Sequence, residues 1–245
     1  MTRRAASVLL SLSLLTACGR STSTNGPADV LLFNGHGTSP GDVDALEHIM
    51  RQHQFSYATA DSSRLNAMSE SELKAYRLLI VPGGNFVDIG YGLTPSTATR
   101  LRRAIQGGLN YFGVCGGAFL AGNSPYNGLN LTSGVRFKFY AAEERGIRKA
   151  PVAITAAGAP TREQYWEDGP QLAGWGDVVA KYPDGTPAIV EGSVGDGWVI
   201  LTGVHPEAQA SWWSGMTSRT PVSENNRYAA TLMEAALKRI RLPHF

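Results

Sequence analysis

One cysteine of the sequence, Cys115, stands where a nucleophile would. Residues 111–117 read Tyr-Phe-Gly-Val-Cys-Gly-Gly, an apolar strand that runs into a Gly-x-Cys-x-Gly turn. Small residues beside a cysteine permit the strained turn of a nucleophile elbow, which raises the side chain above a sheet. A buried cysteine at a glycine-rich turn would give the same letters, and the motif favours the nucleophile over that alternative.

A histidine and a glutamate follow another apolar strand, late in the chain. Residues 198–204 are apolar apart from Thr202 and Gly203, and His205-Pro206-Glu207 comes directly after them. An imidazole there can act as base to Cys115, and the Glu207 carboxylate can orient the ring and favour its charged form. A lone histidine is more often structural. The catalytic interpretation is favoured because the ends of parallel strands meet at one edge of a sheet.

The third strand end is Val-Pro-Gly-Gly-Asn at residues 81–85. Its glycines could bring the N–H of Gly84 opposite the N–H of Gly116, which would make an oxyanion hole for acyl transfer. Taken alone, a plain Pro-Gly turn explains these letters better. The residues that we consider as lining of the same pocket are His36, Asn85, Asp88 and Phe119.

Four aromatic residues could also wall the pocket, although we expect them mainly in the core because large aromatic side chains dominate cores. They are Tyr165, Trp166, Trp212 and Trp213.

Short apolar strands alternate with amphipathic helices, which predicts an α/β fold with a mostly parallel sheet and helices on both faces. The predicted strands of the first half cover residues 29–33, 55–59, 76–81 and 109–114. The predicted helices cover residues 42–52, a short segment after a capping box at 69–72, residues 95–106 and, at the end of the chain, 223–241.

The second half is richer in strand signals, which predicts an antiparallel β extension of the sheet. Strands are expected at residues 135–140, 151–155, 178–182, 188–190 and 198–201. Asp184-Gly185 and Asp196-Gly197 are strong hairpin turns. No boundary interrupts residues 29–245, so we expect one domain there.

The first residues read as a targeting segment. Arg3 and Arg4 precede an apolar stretch at residues 5–15, which is too short to span a bilayer. Leu15-Thr16-Ala17-Cys18 resembles the lipobox of bacterial lipoproteins, in which the cysteine carries the lipid and the peptide is cut before it. We therefore expect residues 1–17 to be a signal peptide and residues 18–28 to be a lipidated Cys18 with a flexible tether. An ordinary secretory signal is the alternative.

The charge balance gives no reason to expect a nucleic acid partner. Removal of Arg3 and Arg4 from the 22 basic side chains leaves 20, equal to the number of acidic ones. The expected partners are a membrane surface, through the lipid on Cys18, and a small-molecule or peptide substrate of unknown identity. Localisation is expected at the cell envelope. No metal or phosphate-loop motif is visible, so no cofactor is expected.

In combination, the three strand ends resemble the class I glutamine amidotransferase-like superfamily, whose fold is flavodoxin-like and whose Cys, His and Glu form a hydrolytic triad. Within it the chain is most similar to the biotin–protein ligase N-terminal domain family, which also occurs as free-standing bacterial proteins. The resemblance covers most of residues 29–210. The segments that carry it are Phe33-Asn34-Gly35-His36-Gly37, Val81-Pro82-Gly83-Gly84, residues 113–119 and Gly203-Val204-His205-Pro206-Glu207.

The resemblance implies Cys115 as nucleophile, His205 as general base and acid, Glu207 as its orienter, and Gly84 with Gly116 as oxyanion donors. Glutaminases usually carry Gln four residues after the nucleophile, where this chain has Phe119. We therefore expect neither classical glutaminase activity nor biotin ligation, whose catalytic domain is a separate unit. Two hypotheses remain: a cysteine-dependent amide or ester hydrolase or acyltransferase, and a non-catalytic binding or scaffold protein.

Overall fold

The computed structural model describes residues 28–141 and 148–245. The predicted signal peptide, Cys18 and all of the tether except Ala28 lie outside these residues. Among the described residues, no helix combines the length and the apolar character that crossing a membrane requires.

Nine strands of the described residues form one sheet. They are β1 (Val30–Phe33), β2 (Tyr57–Ala60), β3 (Leu78–Val81), β4 (Asn110–Val114), β6 (Lys149–Ala156), β7 (Arg162–Glu167), β9 (Asp177–Lys181), β10 (Pro187–Val194) and β11 (Gly197–Thr202). Their order in the sheet is β2-β1-β3-β4-β11-β10-β9-β6-β7. The first five strands in this order run parallel, and the rest are antiparallel. A small separate pair joins β5 (Lys138–Phe139) and β8 (Pro170–Gln171). The predicted fold class is confirmed.

Helices cover both faces of the sheet. They are α1 (Pro40–Gln52), α2 (Ser62–Ala67), α3 (Glu70–Leu73), α4 (Phe86–Tyr91), α5 (Pro95–Gln106), α6 (Gly116–Ala121) and α7 (Val222–Lys238), with a 3₁₀ turn at Ala210–Trp213. Side chains of β1 alternate between two cores: Val30 and Leu32 pack with α1 and α7, whereas Leu31 and Phe33 pack with α5 and α6. Because both faces are covered, the central strands are continuously apolar.

Local signals placed several helix ends correctly. Thr94 caps α5 by accepting a hydrogen bond from the Thr97 N–H, and Pro95 is its first residue. Ser69 and Glu72 form the predicted capping box of α3. Satisfying the first free N–H groups of a helix depends on a few neighbouring residues, so such signals can be recognised in the sequence.

The structure corrects three of the predicted elements and contains one strand that the sequence did not predict. The strand predicted at residues 135–140 shrinks to Lys138–Phe139. The second hairpin turns at Gly195-Asp196, because Val194 pairs directly with Gly197. The last helix ends at Lys238 rather than at residue 241, because Arg239 adopts a left-handed conformation, and Ile240 is exposed. Strand β7 was not predicted, because its sequence Arg-Glu-Gln-Tyr-Trp-Glu lacks the apolar run of the other buried strands.

Candidate active site

Cys115 lies at a strained turn between β4 and α6. Its backbone has φ of 46° and ψ of −100°, a region that non-glycine residues rarely occupy. The Cys115 N–H donates to the Thr202 carbonyl of β11 at 2.8 Å, and its thiol donates to the Glu167 carbonyl at 3.5 Å. The turn therefore has the geometry of a nucleophile elbow, with its side chain 6% exposed.

The turn at Gly84 and the turn at Gly116, which follows the cysteine, approach each other closely. A Cβ atom on Gly116 would lie 2.7 Å from the Gly84 carbonyl oxygen, so a side chain there would collide with backbone. Gly84 itself has φ of 139°. In the described part of the chain, neither the Gly84 N–H nor the Gly116 N–H has a hydrogen-bond acceptor. Their role as oxyanion donors stays a prediction, which this proximity makes feasible.

The His205 side chain is held from one side of its ring. Its Nδ1 lies 2.8 Å from Glu207 Oε1 and 3.1 Å from Asp42 Oδ1, whereas its Nε2 has no hydrogen-bond partner among the described residues. The edges of Tyr165 and Trp212 pack against the ring, with centroid distances of 5.8 and 5.7 Å. The main chain is fixed as well, because the His205 N–H donates to the Tyr165 carbonyl. Nε2 is therefore the nitrogen available for chemistry.

Buried charge shifts the pKa values of the three interacting groups. Burial alone would lower the pKa of His205, but Glu207, the Cys115 sulfur and Asp42 together raise it well above the ordinary value of 6.5. Burial raises the pKa of Glu207, against the opposing effect of His205. Burial would also raise the pKa of Asp42, yet the contacts with His205, Ser39 and the Gly83 backbone bring it below its ordinary value. The cluster thus favours a positively charged imidazole.

Cys115 and His205 line the same open cleft of about 660 Å³. One wall is aromatic: Phe119 stacks on Phe86 at a centroid distance of 4.6 Å and contacts Phe139 at 4.9 Å. The remaining residues of the lining are Ser39, Gly41, Asp42, Gly84, Asn85, Lys149, Tyr165, Glu167, Asp168, Ser211, Trp212 and Ser214. The cleft therefore offers an apolar surface directly beside the elbow.

The structure brings most of the predicted residues together and leaves two out. Glu207 is 1% exposed and contacts His205 Nδ1, and Gly116 is buried beside Gly84. His36 and Asp88 do not line the cleft, which corrects that expectation. His36 sits on an exposed loop fixed by the Ser62 hydroxyl, and Asp88 lies in the first turn of α4.

The predicted aromatic residues divide between the two roles considered. Tyr165 and Trp212 contribute to the cleft. Trp166 belongs to the core on the α1 side of the sheet, and Trp213 packs in a small cluster with Tyr165.

Asp42, His205 and Glu207 are the one cluster of the described residues whose acidic and imidazole atoms come within 4.8 Å of one another, as a shared cation would require. The Nδ1–oxygen distances, however, are those of hydrogen-bonded and ion-paired groups. A protonated imidazole already places a positive charge between the two buried carboxylates.

Comparisons with known proteins agree with this architecture. Residues 28–147 match the family described as "Biotin-protein ligase, N terminal". This segment of the chain is therefore similar to the biotin-protein ligase N-terminal family. It contains β1 to β4 with Gly84 and Cys115, whereas His205 and Glu207 follow outside it. No curated protein matches the chain.

Solved structures show the fold of the remaining part as well. A crystal structure of a glutamine amidotransferase is similar over 85% of this chain and 98% of that one, with 17% identity and a TM-score of 0.59. The structure of PurLQS from Thermotoga maritima is similar over 86% of this chain and 98% of that one, with 15% identity and a TM-score of 0.58. The GH42 β-galactosidase Gan42B matches 89% of this chain but only 31% of its own, with 14% identity and a TM-score of 0.54. The chain thus has the glutamine amidotransferase-like fold.

Sequence reasoning missed Asp42 and Glu167, and it considered Tyr165 only as a possible aromatic wall. Asp42 looked like an ordinary acidic residue in the first turn of a helix, and only the tertiary fold brings it to His205. Glu167 and Tyr165 lie on the unpredicted strand β7, where the Tyr165 hydroxyl donates to Glu167 Oε2 at 2.5 Å. The alternation of Tyr165 and Glu167 on one face was a usable signal for a strand of period two.

Proposed function

We propose that this protein is a cysteine-dependent hydrolase or acyltransferase that acts on an amide or ester. One observation carries the proposal: His205 and Cys115 line the same cleft, and His205 is fixed through Nδ1 while its Nε2 has no partner among the described residues. General acid and base catalysis requires a ring nitrogen that is not engaged elsewhere.

In the proposed reaction the Cys115 thiolate attacks the carbonyl carbon, and the carbonyl π electrons move to oxygen. The N–H groups of Gly84 and Gly116 stabilise this oxyanion. When the tetrahedral intermediate collapses, the bond to the leaving group breaks and His205 Nε2–H protonates it. Water, or a second acceptor, then attacks the thioester with His205 as base, which restores the thiolate and the imidazolium.

The aromatic wall limits the substrate. Phe119 occupies the position where glutaminases usually have Gln, and it stacks on Phe86 and contacts Phe139 rather than offering a hydrogen bond. An acyl group with apolar carbon atoms fits this wall better than the polar glutamine side chain, since an apolar surface cannot satisfy a buried amide.

The proposed site of action is a bacterial membrane at the cell envelope. Residues 15–18, Leu-Thr-Ala-Cys, after a short basic and apolar leader, support lipidation of Cys18 and attachment to a bacterial membrane by residues 18–28. Substrates would then be met at the cell envelope.

A non-catalytic binding protein is the second candidate, and one observation favours it. The Cys115 side chain is 6% exposed, with its thiol directed at the Glu167 carbonyl, as in a structural cysteine. Such a protein would use the same cleft to hold a ligand without turning it over.

Alkylation of Cys115 separates the two candidates. In the full chain carrying Cys18→Ser, Cys115 is the only thiol, because the sequence has two cysteines. We expect rapid labelling by chloroacetamide at pH 7 that falls at least tenfold in His205→Gln, as a thiolate stabilised by imidazolium requires. The exposed His48→Gln is the matched control. Labelling that is equal in the His205 and His48 variants would overturn the catalytic proposal.

Turnover is then measured with p-nitrophenyl esters of increasing acyl length. We expect hydrolysis that disappears in Cys115→Ser and increases from acetyl to butyryl esters. Ester cleavage that persists in Cys115→Ser contradicts the proposed nucleophile.

A further inference from the structure

The second carboxylate at His205 has no place in a Cys-His-Glu triad. Asp42 is 5% exposed, and its Oδ1 lies 3.1 Å from His205 Nδ1 without a hydrogen bond of its own. We propose that Asp42 is a positioning residue that holds His205 as an imidazolium, so that Nε2 carries a proton before substrate binds. The role of the charged ring in catalysis rests on the proposed function, whereas the charge state of His205 does not.

The fold places Asp42 with little freedom. It is the third residue of α1, whose N-cap Ser39 accepts a hydrogen bond from the Asp42 N–H and is itself bonded to the Gly83 carbonyl. Gly83 makes the approach possible, because a Cβ atom there would collide with Asp42 Oδ1 and lie 2.7 Å from His205 Cε1. The contact between Asp42 and His205 therefore requires a glycine at position 83. This requirement is separate from the oxyanion role considered for Gly84.

Proton counting gives the reason for a charged ring. His205 Nδ1 carries at most one proton, and the shorter contact, 2.8 Å, directs it to Glu207. Asp42 Oδ1 is then a buried anionic oxygen without a donor of its own, which is costly unless a positive charge lies close to it. A charged ring supplies that charge 3.1 Å away and a neutral ring does not, and the lowered pKa of Asp42 fits an ionised carboxylate beside such a ring.

Among the residues that the structure describes, Glu207, Cys115 and Asp42 exert the largest charge effects on this ring. The carboxylates of Glu207 and Asp42 both lie against Nδ1. Tyr165 of β7 packs edge-on, but burial and Glu167 raise the pKa of its phenol, and its hydroxyl is bonded to Glu167. Trp212 brings no charge. Within residues 28–141 and 148–245, Asp42 is thus the carboxylate outside the predicted triad that approaches Nδ1.

The catalytic consequence concerns the first half of the reaction. A ring that already carries the Nε2 proton can protonate the leaving group at once, and Cys115 need not transfer its own proton during attack. Removing the Asp42 charge would leave Glu207 in place but make the protonated ring less favourable.

Nitrogen NMR of the histidine-labelled full chain, with Cys18→Ser, tests the inference without any substrate. At pH 8 we expect both ring nitrogens of His205 to carry protons, with the signals assigned by their loss in His205→Gln. A ring with a single protonated nitrogen at pH 8 in the unsubstituted site would overturn the proposal, whatever the variants do.

The second arm compares Asp42→Asn with Asp44→Asn, an exposed acid two residues along α1. We expect the His205 titration midpoint to fall by about one to three pH units in the former and to stay unchanged in the latter. Equal midpoints in the two variants contradict the assignment. Repeating the comparison in Cys115→Ser keeps it independent of catalysis: the Asp42 effect persists there even if the hydrolase proposal fails.

Discussion

The Cys115 N–H is hydrogen-bonded to the carbonyl of Thr202 at 2.8 Å. Thr202 is the last residue of β11, three positions before His205, so the elbow is attached to the very strand that delivers the histidine. Register supports this link, since Val114 of β4 pairs with Thr202. The cysteine and the histidine are therefore positioned by adjacent parallel strands rather than by independent loops.

Glu207→Gln is expected to slow ester turnover by about a hundredfold or more. The amide keeps the shape but loses the charge that orients and stabilises the imidazolium. The measurement is kcat on the p-nitrophenyl ester. Glu167→Gln is the matched control, because that carboxylate also lines the cleft but bonds Tyr165 instead of His205. A similar loss in both variants would argue against a specific role for Glu207.

Gly116→Ala is expected to abolish turnover and to destabilise the fold by about 1–3 kcal/mol, as overpacking does. The new methyl group would collide with the Gly84 carbonyl oxygen and displace both expected oxyanion donors. Urea unfolding and the ester assay measure the two effects. At Gly41 an added Cβ meets Trp212 no closer than 3.4 Å, so Gly41→Ala should retain the fold. An active Gly116→Ala protein would refute the predicted hole.

Thermal stability is expected to fall as pH rises above about 6.5. The raised pKa of His205 contributes stability that is complete below its ordinary value and is lost as pH rises through the folded-state value. The raised pKa of Glu207 acts in the same direction above 4.5, while the lowered pKa of Asp42 removes stability only as pH falls below 3.8. Melting temperatures from pH 5 to 9 check this, and the alkaline loss should be smaller in His205→Gln. A slope unchanged by that substitution contradicts the assignment.

Phe119→Ala is expected to lower kcat/KM for the butyryl ester more than for the acetyl ester. The substitution removes the ring that stacks on Phe86 and contacts Phe139, so the longer acyl chain loses its apolar contact. The ratio of the two esters is the readout. Phe245→Ala, at a 55% exposed position, controls for the loss of an aromatic residue. A ratio equal to that of the unsubstituted protein would exclude this wall from acyl recognition.

Cys18→Ala is expected to release the protein from membranes. Without the sulfur there is no atom for the lipid, and the residual apolar leader is too short to span a bilayer. Fractionation of bacterial cells, with mass spectrometry of the detergent-extracted protein, reports the outcome. An unsubstituted protein that carries no lipid mass, or a Cys18→Ala protein that remains membrane-bound, would contradict lipidation.

The parts of the site that the sequence predicts are those encoded by short segments. Gly-x-Cys-x-Gly predicts its own turn, because a strained φ at Cys115 demands small neighbours. Likewise, the apolar run before His205 predicts a buried strand, and strands of one parallel sheet bring their ends together.

The parts that the sequence does not predict depend on tertiary contacts. Nothing local distinguishes Asp42 from Asp44: both are acidic residues near the start of α1, and only the approach of Gly83 decides which meets His205. Similarly, β7 is stabilised by pairing with β6, so its own residues need few apolar side chains. His36 follows a strand of the sheet, as expected, but its loop leads away from the cleft.

Strand β11 lies between β4 and β10, although more than 80 residues separate it from β4 along the chain. During synthesis, β4 therefore remains an open sheet edge until residues 197–202 have emerged. Until then the cysteine turn lacks both its Thr202 bond and its histidine. Reactivity of the elbow is in this way coupled to completion of the fold, and a chain truncated before β11 would retain the thiol but present an unpaired strand prone to association with other chains.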